Sequence, residues 1–430
     1  MSESCQDGRG IHYFGNAPIG RAMMSAFQLE PSMLQGPSET SPQIIESSLR
    51  AIRQHLDMPV AYLSQFVNGR AVYRNVDAPG YEHLIRAGAS RSIDEGYCGL
   101  IVAGRLPQMI PDTSENQLAV SLPITRTMPI GSHIAIPIHL EDGTVYGMFA
   151  CLSPKPTKSL NSRDLETMRL FANLATQQIH ANHRTERVLR EKRIRIESVL
   201  EERAFEIAYQ PIVDLGDMQP KGFEALSRFS AEPYRTPDVW FAEAAEVGLA
   251  AELELAAIRH AIRALNVLPA DQYVSVNASP QTVINAAFAP AFAGLPLSRI
   301  VLEITEHAII EDYELFTKCL APLRKRGLRI AVDDAGAGHS SLRHIIQLSP
   351  DFVKIDISLT RNVDADLARR ALISALLHYT RETSAQIVAE GIETEAELRT
   401  LKLLGVRRGQ GYFLGRPAIN AFGTAKAKQA

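Results

Sequence analysis

Cysteine is scarce and scattered: Cys5, Cys98, Cys151 and Cys319 are the 4 in 430 residues, and no CxxC pair occurs. That excludes a disulfide framework and a cysteine-based zinc site. No apolar run approaches the roughly 20 residues that a membrane-spanning helix needs. The N-terminus also lacks the basic-then-apolar order of a secretory signal. A cytoplasmic protein with no membrane partner is expected. Excess charge of one sign is missing too, with 45 Lys and Arg against 48 Asp and Glu, a net charge of −3. No global field therefore draws the chain to nucleic acid. The most basic stretch, Arg184 to Arg195, is interrupted by Glu186 and Glu191 at helical spacing and reads as a solvated helix face. A phosphate-bearing ligand would need a local device, either metal ions or a few arginines.

What is present is ordinary globular material, 46% hydrophobic and 22% charged, long enough for two or three domains. Residues 1–40 show no sustained periodicity and read as an arm. Ile45, Leu49, Ile52 and Leu56 then mark one helix face. A β run at Val60–Phe66 meets Asn68-Gly69, a hairpin turn, and continues at Ala71–Arg74. Ile134, Ile136 and Ile138 alternate with smaller or polar residues, and Asp142-Gly143 turns the chain into Val145–Leu152. This order predicts an α+β domain around an antiparallel sheet over residues 41–182. With Asp94-Glu95-Gly96-Tyr97-Cys98-Gly99-Leu100 and Ile134-Ala135-Ile136-Pro137-Ile138 it resembles a GAF domain. The resemblance implies a sensor module with an unknown small ligand or none. Cys98 reads as a small semi-buried loop residue, since nothing basic flanks it.

A helix follows through a linker at residues 183–204. Leu165, Met168, Ala172, Ala175, Ile179, Leu189, Ile196 and Leu200 share a face interrupted by Asn182, Glu186 and Arg193. The stripe suits either a weak parallel dimer seam or a single helix packed on one neighbour.

From residue 205 to about 420 the chain repeats β-then-helix units, leaving residues 421–430 as a tail. β runs stand near Ala208-Tyr209, Gly222–Phe229, Tyr273–Val276, Ile300–Ile304, Leu328–Val332, Phe352–Ile355, Gln386–Ala389 and Gly411–Leu414. Eight runs alternating with helical segments such as Asp238–Leu265 and Asp366–Thr383 predict an α/β TIM-like (β/α)8 barrel. A doubly wound sheet is the alternative, but no GxGxxG opens a helix after the first run. Six runs carry Glu224, Asn277, Glu303, Asp333 with Asp334, Lys354 with Asp356, and Glu390 in or just after the apolar stretch. One acid at a strand end is usually a helix cap. Six such ends around one barrel mouth would instead crowd carboxylates that repel one another and lose hydration. Divalent ions relieve both, and oxygen ligands favour Mg²⁺ or Mn²⁺. Adjacent aspartates suggest one ligand bridging two ions, an arrangement suited to in-line attack on a phosphodiester.

Glu224-Ala225-Leu226 followed by Arg228 resembles the signature of EAL-family cyclic di-GMP phosphodiesterases. So do Tyr209-Gln210-Pro211-Ile212-Val213, Val276-Asn277-Ala278-Ser279-Pro280 and Glu303-Ile304-Thr305-Glu306. The match continues through Asp351–Asp356, Val388–Glu393 and Gly409-Gln410-Gly411-Tyr412. The resemblance implies hydrolysis of cyclic di-GMP to linear pGpG by a homodimer that needs two ions. Glu224, Asn277, Glu303 and Asp333 would hold the first ion, and Asp333, Asp334 and Glu390 the second. Lys354 would orient the attacking water or compensate charge, and either Glu390 or Lys354 would take its proton. Gln210, Arg228 and Gln410 would contact substrate, and Glu306 would anchor the loop after Asp334. That loop departs from the family pattern: Ala335, Ala337 and His339 replace Phe, Thr and Tyr. Reduced or input-dependent turnover is expected, with a catalytically silent cyclic di-GMP receptor as the competing reading. His339 reads as an exposed loop residue and not as a ligand.

Overall fold

Asn68 and Gly69 carry the chain through φ of +50° and +73°, the pair of positive values that a two-residue hairpin turn demands. The turn joins β1 (Val60–Val67) to β2 (Arg70–Asp77), with Val67 opposite Arg70. This computed structural model describes residues 41–305, 309–335, 341–419 and 421–422. The expected arm at 1–40, Glu306, the 336–340 loop with His339, and all but two residues of the expected tail lie outside the described residues. Two compact units divide between Thr185 and Glu186.

The first unit is a six-stranded antiparallel sheet. Besides β1 and β2 it contains β3 (Ser90–Ser92), β4 (Met109–Ile110), β5 (Ser132–His139) and β6 (Val145–Ser153), in the order β3-β2-β1-β6-β5-β4. Strand alternation divides its apolar side chains between two faces. On one, Ala61, Leu63, Ile134, Ile136 and Phe149 pack against Ile45, Leu49 and Ile52 of the helix Ser41–His55. Met168, Ala172, Ala175 and Ile179 of the long helix Ser162–Glu202 close the same layer. That helix stretch is therefore packed on its own sheet. Further along, Ile196 is buried in the second unit, while Leu189 is 37% exposed. On the other face lie Tyr62, Tyr97, Cys98 and Met148. Burial pushes the Cys98 thiol up to about 11, so it is an inert packing group.

The second unit is a closed barrel of β7 (Phe205–Asp214), β8 (Pro220–Phe229), β9 (Tyr273–Asn277), β10 (Ile300–Thr305), β11 (Arg329–Ala335), β12 (Phe352–Ile355), β13 (Gln386–Ala389) and β14 (Arg408–Gly409). It departs from the all-parallel expectation at one strand. β7 runs antiparallel to both β8 and β14. The link across residues 215–219 is too short for a helical crossover, so β7 and β8 form a hairpin. The last strand is Arg408–Gly409, and the apolar run Gly411–Leu414 follows it as loop. The segment Asp238–Leu265 is likewise two helices, Pro237–Glu246 and Ala250–Ala261, separated at Gly248 with φ +73°. Ile212, Tyr273, Val301, Ala331, Phe352 and Val388 fill the barrel interior. No described helix is long and apolar enough to cross a membrane.

Candidate metal centre

Alternation in a strand points residues two apart to the same side, so each barrel strand delivers inward side chains in pairs. On β9, Ser275 and Asn277 face inward; on β11, Ala331 and Asp333 do. Cross-strand register then lines up the rim: Glu224 pairs with Ser275, Asn277 with Glu303, and Asp333 with Thr305. Because β7 runs the other way, Gln210 lies opposite Glu224.

Two backbone features complete the rim. Asp334, which would normally point away from Asp333, has φ +55°, and the register with β12 shifts between Val332 and Ala335. The irregularity turns both aspartates toward the mouth. Gly391, next to Glu390, has φ +64°, and a Cβ there would stand 2.2 Å from Ile357 Cγ1. Only glycine fits that turn.

Lys354 stands at the centre. Its side chain is 2% exposed, and Nζ lies 2.8 Å from Glu390 Oε1, 2.9 Å from Glu303 Oε2, 3.1 Å from Asp333 Oδ1 and 3.5 Å from Glu224 Oε2. Burial alone would lower its pKa, but Asp333, Glu224, Glu303 and Glu390 outweigh burial and hold it well above the usual lysine range. One ammonium cannot neutralise four carboxylates, and the surplus appears in their protonation. Burial pushes Glu390 up to about 8, with Asp333 and Glu224 adding to the effect and Lys354 opposing it. Burial pushes Glu303 well above the carboxylate range, against Lys354. Glu224 goes the other way. Burial works against its ionisation, but Lys354 and donors from Gln410 and Asn277 lower its pKa.

Neighbouring amides and one hydroxyl orient this cluster. Gln410 Nε2 donates to Glu224 Oε2 at 2.5 Å and to Gln210 Oε1 at 2.9 Å, and Gln210 Nε2 donates to the Gly415 carbonyl. Asn277 Nδ2 donates to Glu224 Oε1 at 3.4 Å. Ser275, which sequence reasoning missed, donates from Oγ to Glu303 Oε1 at 2.5 Å. Its signal was available in Val274-Ser275-Val276-Asn277, where alternation puts Ser275 on the face of Asn277.

Glu224, Glu303, Asp333, Asp334, Glu390 and Lys354 are thus brought together, with Asn277, Gln210 and Gln410 beside them. Asp356 is instead the N-cap of a short helix, accepting from the Ser358 amide. Arg228 is exposed and lies outside the cluster, on the wall of an adjoining cavity of about 800 Å³ with Leu226, Phe241, Glu254 and Asn277. A second cavity of about 420 Å³ is lined by Glu224, Asp333, Asp334, Glu390, Gln410 and Tyr412.

The donor set fits divalent metal. Glu224, Glu303 and Asp333 offer carboxylate oxygens within 4.8 Å of one another, as do Asp333, Asp334 and Glu390, so Asp333 belongs to both groups. Oxygen-only donors match hard cations.

Comparison with known proteins agrees with this architecture. The EAL domain family matches residues 190–417 and the GAF domain family residues 42–179. An uncharacterized signaling protein of Caulobacter vibrioides is 35% identical over 221 residues, 49% of this chain and 27% of the relative. The probable cyclic di-GMP phosphodiesterase PdeN of Escherichia coli K12 is 31% identical over 235 residues, 52% of this chain and 45% of the relative. This chain thus spans less than half the length of either. A solved structure of the PaMucR phosphodiesterase in complex with c-di-GMP matches with 30% identity and a TM-score of 0.48, covering 53% of this chain and 97% of that one.

Proposed function

The chain belongs to the EAL domain family, and on that premise we propose that its barrel hydrolyses cyclic di-GMP to linear pGpG. The observation that carries this reading is the sharing of Asp333 between two carboxylate groups, which suits a pair of Mg²⁺ or Mn²⁺ ions side by side. Glu224, Asn277, Glu303 and Asp333 would hold one ion; Asp333, Asp334 and Glu390 would hold the other. When bound, such ions lower the pKa of a water molecule and polarise a phosphodiester oxygen.

The chain's own residues supply the rest. Gln410, braced by Gln210, donates to the Glu224 oxygen that faces Lys354, and Asn277 donates to the other. Lys354 compensates the cluster's charge and keeps four acids within reach of one mouth. The adjoining 800 Å³ cavity accepts one end of an extended dinucleotide, and Arg228 on its wall pairs with the phosphate that is not cleaved. The sensor-type first unit regulates the barrel in a cytoplasmic homodimer.

Incubating the protein with cyclic di-GMP and Mn²⁺ and resolving pGpG by chromatography, beside Glu224→Ala, tests the reading. Equal product from both would sink it. One observation favours a second reading, a silent receptor: buried Ala335 ends β11 where the family keeps phenylalanine. Binding without turnover in the same assay would establish that.

A further inference from the structure

Four strands of the barrel begin with side chains that have no part in the metal centre. Tyr273 opens β9, Arg329 opens β11, Phe352 opens β12 and Arg408 opens β14. These are the starts of parallel strands whose far ends carry Asn277, Asp333, Lys354 and Gln410, so the four residues sit at the opposite mouth. Tyr273 and Phe352 pack into the barrel interior with Ile212, Val301, Ala331 and Val388, and the two arginines border that cluster. Alternation places Arg329 on the inward face with Ala331 and Asp333, and Arg408 on the inward face with Gln410.

The rings of Tyr273 and Phe352 stack at 5.7 Å between centroids, 21° from parallel. Both arginines lie on this one stack. The Arg329 guanidinium carbon is 4.7 Å from the Tyr273 centroid and 5.2 Å from that of Phe352. For Arg408 the distances are 5.4 and 5.0 Å. Stacking attracts each cation but cancels no charge.

Two like charges held in one place call for a counter-charge, and among the described residues none pairs with them. Neither arginine makes a carboxylate ion pair with a described residue: Asp214, opposite Arg408 in the β7–β14 register, accepts from the Gly216 amide instead. The nearby Asp351 accepts from the Ile330 amide at 2.8 Å and pairs with Arg324. Arg408 donates to the Tyr273 hydroxyl at 3.2 Å, and the wholly buried Nε of Arg329 has no hydrogen-bond partner. Burial lowers the Arg329 pKa and Arg408 adds to that, while Tyr273 and Asp351 oppose it without reversing it. Gly222, where any Cβ would stand 2.5 Å from the Tyr273 ring, lets the stack settle against β8.

We infer that Arg329 and Arg408 form an oxyanion site at this second mouth, built for a phosphate dianion, either free or as the terminal group of a monoester. Both guanidiniums stand on one ring pair, where their N–H groups suit the oxygens of one tetrahedral group and two positive charges match its two negative ones. The site is independent of turnover at the other mouth.

Thermal unfolding of the full chain tests this, in EDTA to keep the metal centre empty and with ionic strength matched by sodium chloride. The probes are inorganic phosphate and glycerol phosphate. A saturable rise in midpoint is expected, by roughly 5 °C at a hundredfold excess over the dissociation constant. The rise disappears in Arg408→Gln and in Arg329→Gln. A rise with both probes assigns free phosphate as sufficient, and a rise with glycerol phosphate alone assigns a monoester. Should a glutamine variant fail to fold, Arg408→Lys keeps the charge, loses the fork and shows a weakened rise. No rise beyond the chloride control, or an undiminished rise in the folded variants, overturns the inference.

Discussion

Lys354 Nζ lies 2.8 Å from Glu390 Oε1, although Glu390 stands one residue past the end of its strand. This contact opposes a larger effect, since burial still raises the Glu390 pKa to about 8. A carboxylic acid with that pKa holds its proton at pH 7 and must release it to ligate a cation. Glu303, raised well above the carboxylate range, must do the same, so Mn²⁺ binding to the metal-free protein is expected to release at least one proton per chain near neutrality. Below pH 8, apparent affinity should tighten by about tenfold per pH unit through Glu390, and more steeply where Glu303 also gives up its proton. Calorimetric titration in buffers of different ionisation enthalpy reads this directly. Constant affinity between pH 6 and 8 would count against it.

Removing the ammonium should be costly in the metal-free protein. Lys354→Met leaves Glu224, Glu303, Asp333 and Glu390 facing one another in a buried site. Breaking a buried ion pair by deleting one partner typically costs about 3–5 kcal/mol. Thermal unfolding should show that loss without metal and partial recovery with Mn²⁺, which takes over the neutralising role. A variant as stable as the parent without metal would contradict the central placing of Lys354.

Ser275 makes a subtler prediction. Its hydroxyl holds Glu303 Oε1 at 2.5 Å, leaving Oε2 to Lys354. Residues that orient metal ligands typically cost about 10–100-fold in metal affinity or activity when lost. Ser275→Ala is expected to weaken Mn²⁺ binding in that range with an unchanged fold by circular dichroism. Ser275→Thr should retain much of it. Equal affinity in Ser275→Ala would make the hydroxyl a packing detail.

The carboxylates were legible because each follows an apolar run, and a closed barrel gives strand ends only one place to meet. Three things were not. Ser275 is small and neutral, so it looks like ordinary alternation until its partner Glu303 is known. The shift that turns Asp334 beside Asp333 leaves no mark on composition, since aspartate adopts positive φ more readily than most residues. The reversal of β7 depends on the short link at 215–219, which an apolar pattern cannot reveal. In the first unit, the Met168–Ile179 stripe fitted either of two partners by period alone, and the sheet that covers it decided between them.

The first unit carries its own pH sensitivity at His133. This residue is fully buried on β5, with Nε2 3.4 Å from the Tyr62 hydroxyl, the Tyr97 ring 5.0 Å away edge-on, and Nδ1 without a partner. Burial lowers its pKa to about 4 from an ordinary value of 6.5. The unfolded chain therefore takes up a proton below pH 6.5, while the folded one resists until about 4. Stability linked to neutral His133 is complete above pH 6.5 and declines as the pH falls to 4, by about 3 kcal/mol in all. Trp240 reports on the other unit, so amide hydrogen exchange along β5 and β6 is the suitable measurement. Corrected for intrinsic rates, protection there should fall about a hundredfold further in the parent than in His133→Gln between pH 6.5 and 4. Matching pH slopes in parent and variant would show that His133 is solvated and free to titrate.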